Sequence, residues 1–199
     1  MTIHEPMTLA TDYLLTIAAA IFAWRLWRVN RLWALAFLFT AFGSFFGGTY
    51  HGLWQSAFLW KPTVMSIGLA SFFLLAAYFP RIAMIKLVAY MSWMIFHDDF
   101  VWVIADYGLT LLLVGAMQLV RRGPATRWIL GSIVLSILGA LVQMSRFSLH
   151  RHFNFNDLYH VIQLVALWML YRGGLLVSDA GHFGSRSPVR SNQTSDAVL

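Results

Sequence analysis

The chain has 199 residues, of which 59% are hydrophobic and only 11% are charged. Soluble domains carry about a quarter charged residues, so this composition excludes a soluble globular fold, and its hydrophobicity excludes disorder for most of the chain. There is no cysteine, which excludes disulfides, thiolate metal sites and a cysteine nucleophile. The composition is typical of an integral membrane protein.

The apolar residues fall into stretches that match the thickness of a membrane. A helix needs roughly 20 apolar residues to cross the hydrocarbon core, and seven stretches of about that length follow one another, the fourth being short. They are residues 9–27, 32–54, 62–79, 82–96, 100–120, 127–147 and 157–171. This pattern predicts an all-α bundle of seven transmembrane helices. Small residues at Gly43 and Gly47 are predicted to let the second span pack closely on a neighbour.

The two ends of the chain differ in character from the spans. Glu5 and Asp12 stand where a signal peptide would carry basic residues, so the first span is predicted to remain in the protein. Gly, Ser, Asn and Arg dominate from residue 173 onwards, which predicts a disordered polar tail over 173–199. The predicted organisation is a seven-helix transmembrane domain over 1–172, followed by this cytoplasmic tail.

Basic residues cluster in the loops on one predicted side of the membrane. Eleven of the 14 basic residues lie there: Arg25, Arg28, Arg31, Arg81, Lys86, Arg121, Arg122, Arg127, Arg172, Arg186 and Arg190. Such an excess marks cytoplasmic loops, so we expect the N-terminus outside and the C-terminus inside, in the inner membrane of a bacterium. Short separate clusters do not resemble a nucleic-acid groove. The expected partners are therefore membrane lipids and not nucleic acid, and the sequence does not indicate an oligomeric state.

Nearly all of the acids and imidazoles that could be buried in the membrane lie near the predicted outer ends of the spans. They are His51, His97, Asp98, Asp99, Asp106, Asp157 and His160. Each has a structural interpretation, because a histidine near a helix end is often an interfacial residue. Asp99 and Asp157 are also placed to cap spans five and seven. The clustering of these residues in one leaflet predicts a shared polar pocket.

Asp106 is the least easily explained of these residues. It follows Asp99 by seven residues, about two turns deeper on the same helix face. An acid inside a membrane span is by default a functional candidate. We expect its partner to be His51 or His160, and the structural alternative is a pairing with Arg146 or a buried water.

The residue types in this leaflet suit a metal site. Imidazole and carboxylate groups bind zinc tetrahedrally, and a zinc-bound water can attack a carbonyl carbon. Two imidazoles from different helices and one acid would form such a site. The candidate metal ligands are His51, His160, His97 and Asp157, and the candidate catalytic residues are Asp106, Asp99, Thr49 and Tyr159.

This arrangement resembles the superfamily of seven-span membrane hydrolases that contains the alkaline ceramidases and the progestin and adiponectin receptors. Those proteins hold zinc with one histidine of the second span and two of the seventh. His51 falls on the second-span ligand and His160 on the second ligand of the seventh span, while Asn156 falls on the first. The assisting Ser and Asp of the superfamily fall on Gly47 and near Pro62. The resemblance implies a zinc-dependent hydrolase of lipid amide or ester bonds.

Two other classes of function use the same residues. His51 and His160 could be the axial ligands of a haem in an electron-transfer protein. Alternatively, the acids and imidazoles could form a proton-sensitive network in a membrane sensor, transporter or assembly protein that is not an enzyme. A Soret band separates the haem protein from the other two classes, and bound metal separates the hydrolase.

Overall fold

The computed structural model describes residues 3–150 and 153–183. These residues fold into seven α-helices, and within them an isolated bridge between His150 and Phe153 is the only β-type pairing. The helices are α1 (Pro6–Leu26), α2 (Arg31–Gly52), α3 (Ala57–Ala76), α4 (Pro80–Phe96), α5 (Phe100–Arg121), α6 (Thr126–Ser145) and α7 (Phe155–Phe183). The predicted all-α class and the order of seven helices are confirmed.

Six of the seven helices in the described residues are long and apolar enough to cross a membrane, so the protein is a membrane protein. The exception is α4, which has 17 residues and would rise about 25 Å at the usual 1.5 Å per residue. Its C-terminal end lies beside the start of α3, because Lys61 Nζ donates to the carbonyl of Met94 at 2.8 Å. Helix α4 therefore runs antiparallel to α3 and brings the chain back to the end of the bundle at which α3 begins.

Six helices form a ring around an internal space. The neighbours in this ring are α1, α2, α3, α5, α6 and α7, and α7 closes it by packing against α1. Helix α4 packs on the outside of α3. The ring places the first and last helices of the chain side by side, and this contact builds the site described below.

Small residues set how closely the helices approach one another. A Cβ added to Gly48 would lie 2.7 Å from the Cβ of Asp12, and one added to Gly43 would lie 2.9 Å from Cγ1 of Ile67. Helix α2 therefore needs glycine against both α1 and α3, because a larger side chain would push the helices apart. The close packing predicted for Gly43 is confirmed.

Two predicted boundaries are wrong, both for reasons of packing. Pro62 lies inside α3, which begins at Ala57, because an interior proline removes one hydrogen bond without ending a helix that its neighbours support. The predicted tail also begins too early, because α7 continues past residue 173. A Cβ on Gly173 would lie 2.5 Å from Ile129, and one on Gly174 would lie 2.5 Å from Trp33. Residues 184–199 of that tail lie outside the described residues.

The two ends of the bundle differ in charge. We call the end where α1, α3, α5 and α7 begin the polar end, and the opposite end the basic end. Among the described side chains the basic end carries eight arginines and no acid: Arg25, Arg28, Arg31, Arg81, Arg121, Arg122, Arg127 and Arg172. Two residues predicted to join them, Arg186 and Arg190, lie outside the described residues. Lys86 does not lie in this basic cluster but within α4, so its predicted loop position is wrong.

Candidate functional site

A cavity of about 330 Å³ lies inside the six-helix ring, in the half of the bundle nearest the polar end. Its deeper wall is apolar and includes Leu15, Leu111 and Leu167. Its wall at the polar end includes His51 and His160. The two histidines that the sequence singled out therefore face one common cavity, although they belong to different helices.

Asp12 and His160 form the central pair of this wall. Asp12 Oδ1 lies 3.4 Å from His160 Nε2, and their side chains are 6% and 10% exposed. Thr11 Oγ1 lies 3.0 Å from the other ring nitrogen, Nδ1. Because Thr11 is next to Asp12 on α1, one helix turn contacts both nitrogens of the imidazole. The Thr11 hydroxyl also lies within hydrogen-bond distance of the carbonyls of Met7 and Thr8, and its one hydrogen can serve only one of these acceptors at a time.

Asp157 lies behind this pair and anchors α7 to α1. Its Oδ1 accepts a hydrogen bond of 2.8 Å from Thr8 Oγ1. Its Oδ2 accepts from the amide of Asn154 at 2.7 Å, while Asn154 Oδ1 accepts from the amide of Asp157 at 3.2 Å. This reciprocal pairing is a capping box for α7. The predicted capping role of Asp157 is confirmed, with Asn154 as the N-cap residue, and Asp157 is 1% exposed.

Acidic groups outnumber basic ones around this wall. Thr8 Oγ1 lies within hydrogen-bond distance of Glu5 Oε2 as well as Asp157 Oδ1, although one hydroxyl hydrogen can serve only one of them at a time. His51 Nδ1 lies 3.7 Å from Glu5 Oε1. Three carboxylates therefore lie around two imidazoles, and no lysine or arginine lines the cavity within the described residues.

The two residues predicted to polarise a carbonyl lie in different places. Tyr159 lines the cavity, where its hydroxyl accepts from Gln163 Nε2 at 3.3 Å. Thr49 instead faces α1, because its hydroxyl donates to the carbonyl of Phe45 at 2.7 Å and lies 3.1 Å from the hydroxyl of Tyr13. Only Tyr159 of this pair belongs to the cavity wall.

His97 lies elsewhere at the polar end, away from the other two histidines. Its ring stacks on Trp93 at a centroid distance of 3.8 Å, and its Nδ1 lies 2.9 Å from the carbonyl of the same residue. Asp99, the neighbouring candidate, is exposed and occupies the N-cap position of α5 without a side-chain capping hydrogen bond. Neither residue lines the cavity, so neither joins His51 and His160 there.

Asp106 has a different partner from the one expected. Its Oδ1 forms an ion pair with the ammonium group of Lys86, and both side chains are at least 88% buried. Lys86 Nζ also donates to Ser71 Oγ at 3.0 Å, and Ser71 Oγ lies 2.9 Å from Thr110 Oγ1. The expected pairing with His51 or His160, and the alternative with Arg146, are both wrong. This pair joins α3, α4 and α5 outside the cavity.

Asp12 is the residue that the sequence interpretation missed. The sequence pattern places it in a polar flank before the first span, yet it is the seventh residue of α1 and is 4% exposed. The signal was available, because an acid two turns inside an apolar helix is expensive and so a functional candidate. Its second carboxylate oxygen, Oδ2, is buried and has no hydrogen-bond partner in the structure.

Some of the donor atoms at this wall converge as metal ligands would. Within residues 3–150 and 153–183, no three His, Asp or Glu side chains lie close enough together to hold a metal ion. Two donors do converge, since the 3.4 Å between Asp12 Oδ1 and His160 Nε2 is about the separation of two ligands on one tetrahedral zinc with bonds of about 2.1 Å. The unpartnered Asp12 Oδ2 is a further donor atom at the same point.

A family model matches residues 7–179, which include nearly all of the seven helices. The chain belongs to a family of unknown function (DUF6962). No curated protein and no solved structure matches the chain significantly. The family match includes Asp12, His51 and His160, so the cavity lies entirely within the segment that defines the family.

Proposed function

We propose that the protein binds an amphipathic membrane lipid whose headgroup donates hydrogen bonds, such as a long-chain amine or alcohol. The single observation that carries this proposal is the pairing, in one cavity, of a deep apolar wall with a buried acidic end centred on Asp12. Ligand sites are typically apolar cavities with a few placed polar groups that fix orientation.

Two unpartnered acceptors support the choice of a donor headgroup. The buried atoms Asp12 Oδ2 and Gln143 Oε1 lack hydrogen-bond partners, and both residues line the cavity. Leaving a buried acceptor unpaired costs about 1–3 kcal/mol, so a hydroxyl or ammonium group that reached them would recover this energy. A carboxylate or phosphate headgroup would instead face Asp12 with like charge.

The apolar part of the cavity suits a single acyl chain. Its wall on α2 runs from Thr40 to His51, which is about 16 Å at the helical rise of 1.5 Å per residue. That length is about half of a hydrocarbon core of about 30 Å. The cavity therefore matches one leaflet in depth, with its acidic end at the membrane surface.

We further propose that the basic end faces the cytoplasm and the acidic end of the cavity faces outwards, in a bacterial inner membrane that α4 also crosses. The support is the cluster of eight arginines at the basic end, without an acid among the described side chains there. Positively charged loops are retained on the cytoplasmic side. The cavity would then take its ligand from the outer leaflet.

A second function, zinc-dependent hydrolysis of a lipid amide or ester, is favoured by the geometry of Asp12 and His160. These two residues would hold the ion, and His51 lines the same cavity. A bound zinc would supply a water acidic enough to lose a proton near neutral pH. Tyr159 would orient the substrate carbonyl with its hydroxyl, and the apolar wall would position the chain.

Ligand binding is tested with single-chain amphiphiles that share one chain and differ only in headgroup. Calorimetric titration of the protein in nanodiscs should show that the amine and the alcohol bind at least about tenfold more tightly than the carboxylate, which is about 1.4 kcal/mol. Asp12→Asn should abolish this preference. The matched control is Asp98→Asn, since Asp98 is a carboxylate of the polar end that pairs with Lys61 at 2.5 Å outside the cavity. Equal binding of all headgroups would refute the proposal.

The hydrolase is tested by elemental analysis of the purified protein, with a visible spectrum from the same sample. This function requires about one zinc per chain, lost in Asp12→Ala and His160→Ala and retained in His97→Ala. Protein that holds no zinc after zinc is supplied excludes it. A Soret band would instead support the haem protein.

A further inference from the structure

The cavity wall is interrupted on one side of the ring. Four residues line the cavity and are also exposed on the outer surface of the bundle: Leu112 at 60%, Ile137 at 49%, Leu141 at 57% and Met144 at 61%. All four lie on α5 or α6. The other lining residues of the described chain are buried or half-buried. The cavity therefore opens sideways between α5 and α6.

The opening follows from where these two helices touch. A Cβ on Gly115 would lie 2.7 Å from Cδ1 of Ile133, and Thr126 Oγ1 donates to the carbonyl of Gln118 at 3.2 Å. These contacts hold α5 and α6 together in the half of the bundle nearest the basic end. Towards the polar end, a Cβ on Gly108 would meet no atom within 4 Å. Gly108 lines the cavity, so α6 does not cover this face of α5 at the depth where the cavity lies.

We infer that this gap is a lateral portal through which the lipid passes from the surrounding leaflet into the cavity. The inference rests on the proposed lipid-binding function and adds the access route. All four rim side chains are apolar, so an acyl chain can slide between them without leaving an apolar environment. Its headgroup travels at the level of the polar end, where it meets Asp12 and Gln143.

The portal can be narrowed without altering the binding groups. Leu112→Trp combined with Ile137→Trp adds bulk to both sides of the rim at exposed positions, where packing does not limit side-chain size. The matched control is Leu109→Trp combined with Leu138→Trp. These residues are exposed on the same two helices, at 49% and 47%, but do not line the cavity.

The variants are compared by photo-crosslinking in a membrane. Protein in phosphatidylcholine vesicles is mixed with vesicles that contain a long-chain primary amine with a diazirine in its chain, and samples are irradiated at intervals. Mass spectrometry then locates the adducts. Leu111 and Ile133 report on the cavity, because they line it and are only 3% and 7% exposed, whereas Val120, at 81%, reports on the surrounding lipid.

We expect the half-time of labelling at Leu111 and Ile133 to rise severalfold in the portal variant, with unchanged labelling at Val120. The control variant should behave like the original protein. Gly108→Trp, at a residue that lines the cavity and where a Cβ meets no atom within 4 Å, should lower the labelling plateau. An unchanged half-time in the portal variant would overturn the lateral route. Absence of cavity adducts in the original protein would refute the lipid-binding function instead, so the two failures are distinguishable.

Discussion

The carboxylate of Asp12 and the imidazole of His160 lie 3.4 Å apart, although 148 residues separate them along the chain. The contact exists because α7 packs against α1 and is fixed there by the hydrogen bond from Thr8 to Asp157. A site that depends on the first and last helices can form only when the whole ring is assembled. The contact between Asp12 and His160 therefore requires correct assembly of the helices as well as the right pair of side chains.

We predict that the buried ion pair between Lys86 and Asp106 stabilises the folded protein. Removing one partner of a buried pair leaves an uncompensated charge and typically costs about 3–5 kcal/mol, so Asp106→Asn should lower the free energy of unfolding by about this amount. Unfolding by sodium dodecyl sulfate in mixed micelles measures it. Replacing both partners, with Lys86→Met and Asp106→Leu, should restore most of the loss. Because the pair lies outside the cavity, the amine preference should persist in the double variant.

A stable Asp106→Asn protein would contradict this structural role. If a double variant as stable as the original protein lost ligand binding, the result would support the functional role that the sequence predicts for Asp106.

Gly48 of α2 and Gly108 of α5 differ in how much space surrounds them, so alanine should affect them differently. Gly48→Ala places a methyl group 2.7 Å from the Cβ of Asp12, and overpacking of this kind typically costs about 1–3 kcal/mol. It should also weaken amine binding, because α1 carries Asp12 away from His160. Gly108→Ala meets no atom within 4 Å and should leave stability unchanged or raise it by up to about 1 kcal/mol, the helix preference of alanine over glycine.

The same unfolding and calorimetric measurements decide this comparison. If the two alanine variants were equally stable and bound amine equally well, close packing of α1 on α2 would not be what positions Asp12.

The sequence predicts the coarse fold well because long apolar runs leave few alternatives to membrane helices. It predicts helix boundaries less well at proline and glycine residues, because these can either end a helix or lie inside one. The pattern predicts a helix start at Pro62 and a polar tail from Gly173, but Pro62 is tolerated within α3 and Gly173 allows α7 to pack on α6. Such uses depend on the neighbouring helix, which a linear pattern does not specify.

The candidate site was predicted in part for a similar reason. The position of His51 and His160 at one end of the bundle follows from helix direction alone. Which acid meets them depends on the order of helices around the ring, and this order brings Asp12 of α1 to His160 while Asp106 faces Lys86 of α4. The hydrophobic pattern predicts how deep each residue lies in the membrane, but not which residue of another helix it contacts.

The orientation in the membrane is open to a direct test, because the chain has no cysteine of its own. Gln55→Cys places a thiol in the exposed loop between α2 and α3 at the polar end, and Gly123→Cys places one in the loop between α5 and α6 at the basic end, where its Cβ meets no atom within 4 Å. In intact bacterial spheroplasts, a charged maleimide should label only the first. After permeabilisation it should label both, which controls for reactivity. Labelling of position 123 alone in intact spheroplasts would show that the arginine-rich loops lie outside, and would move the cavity to the cytoplasmic leaflet.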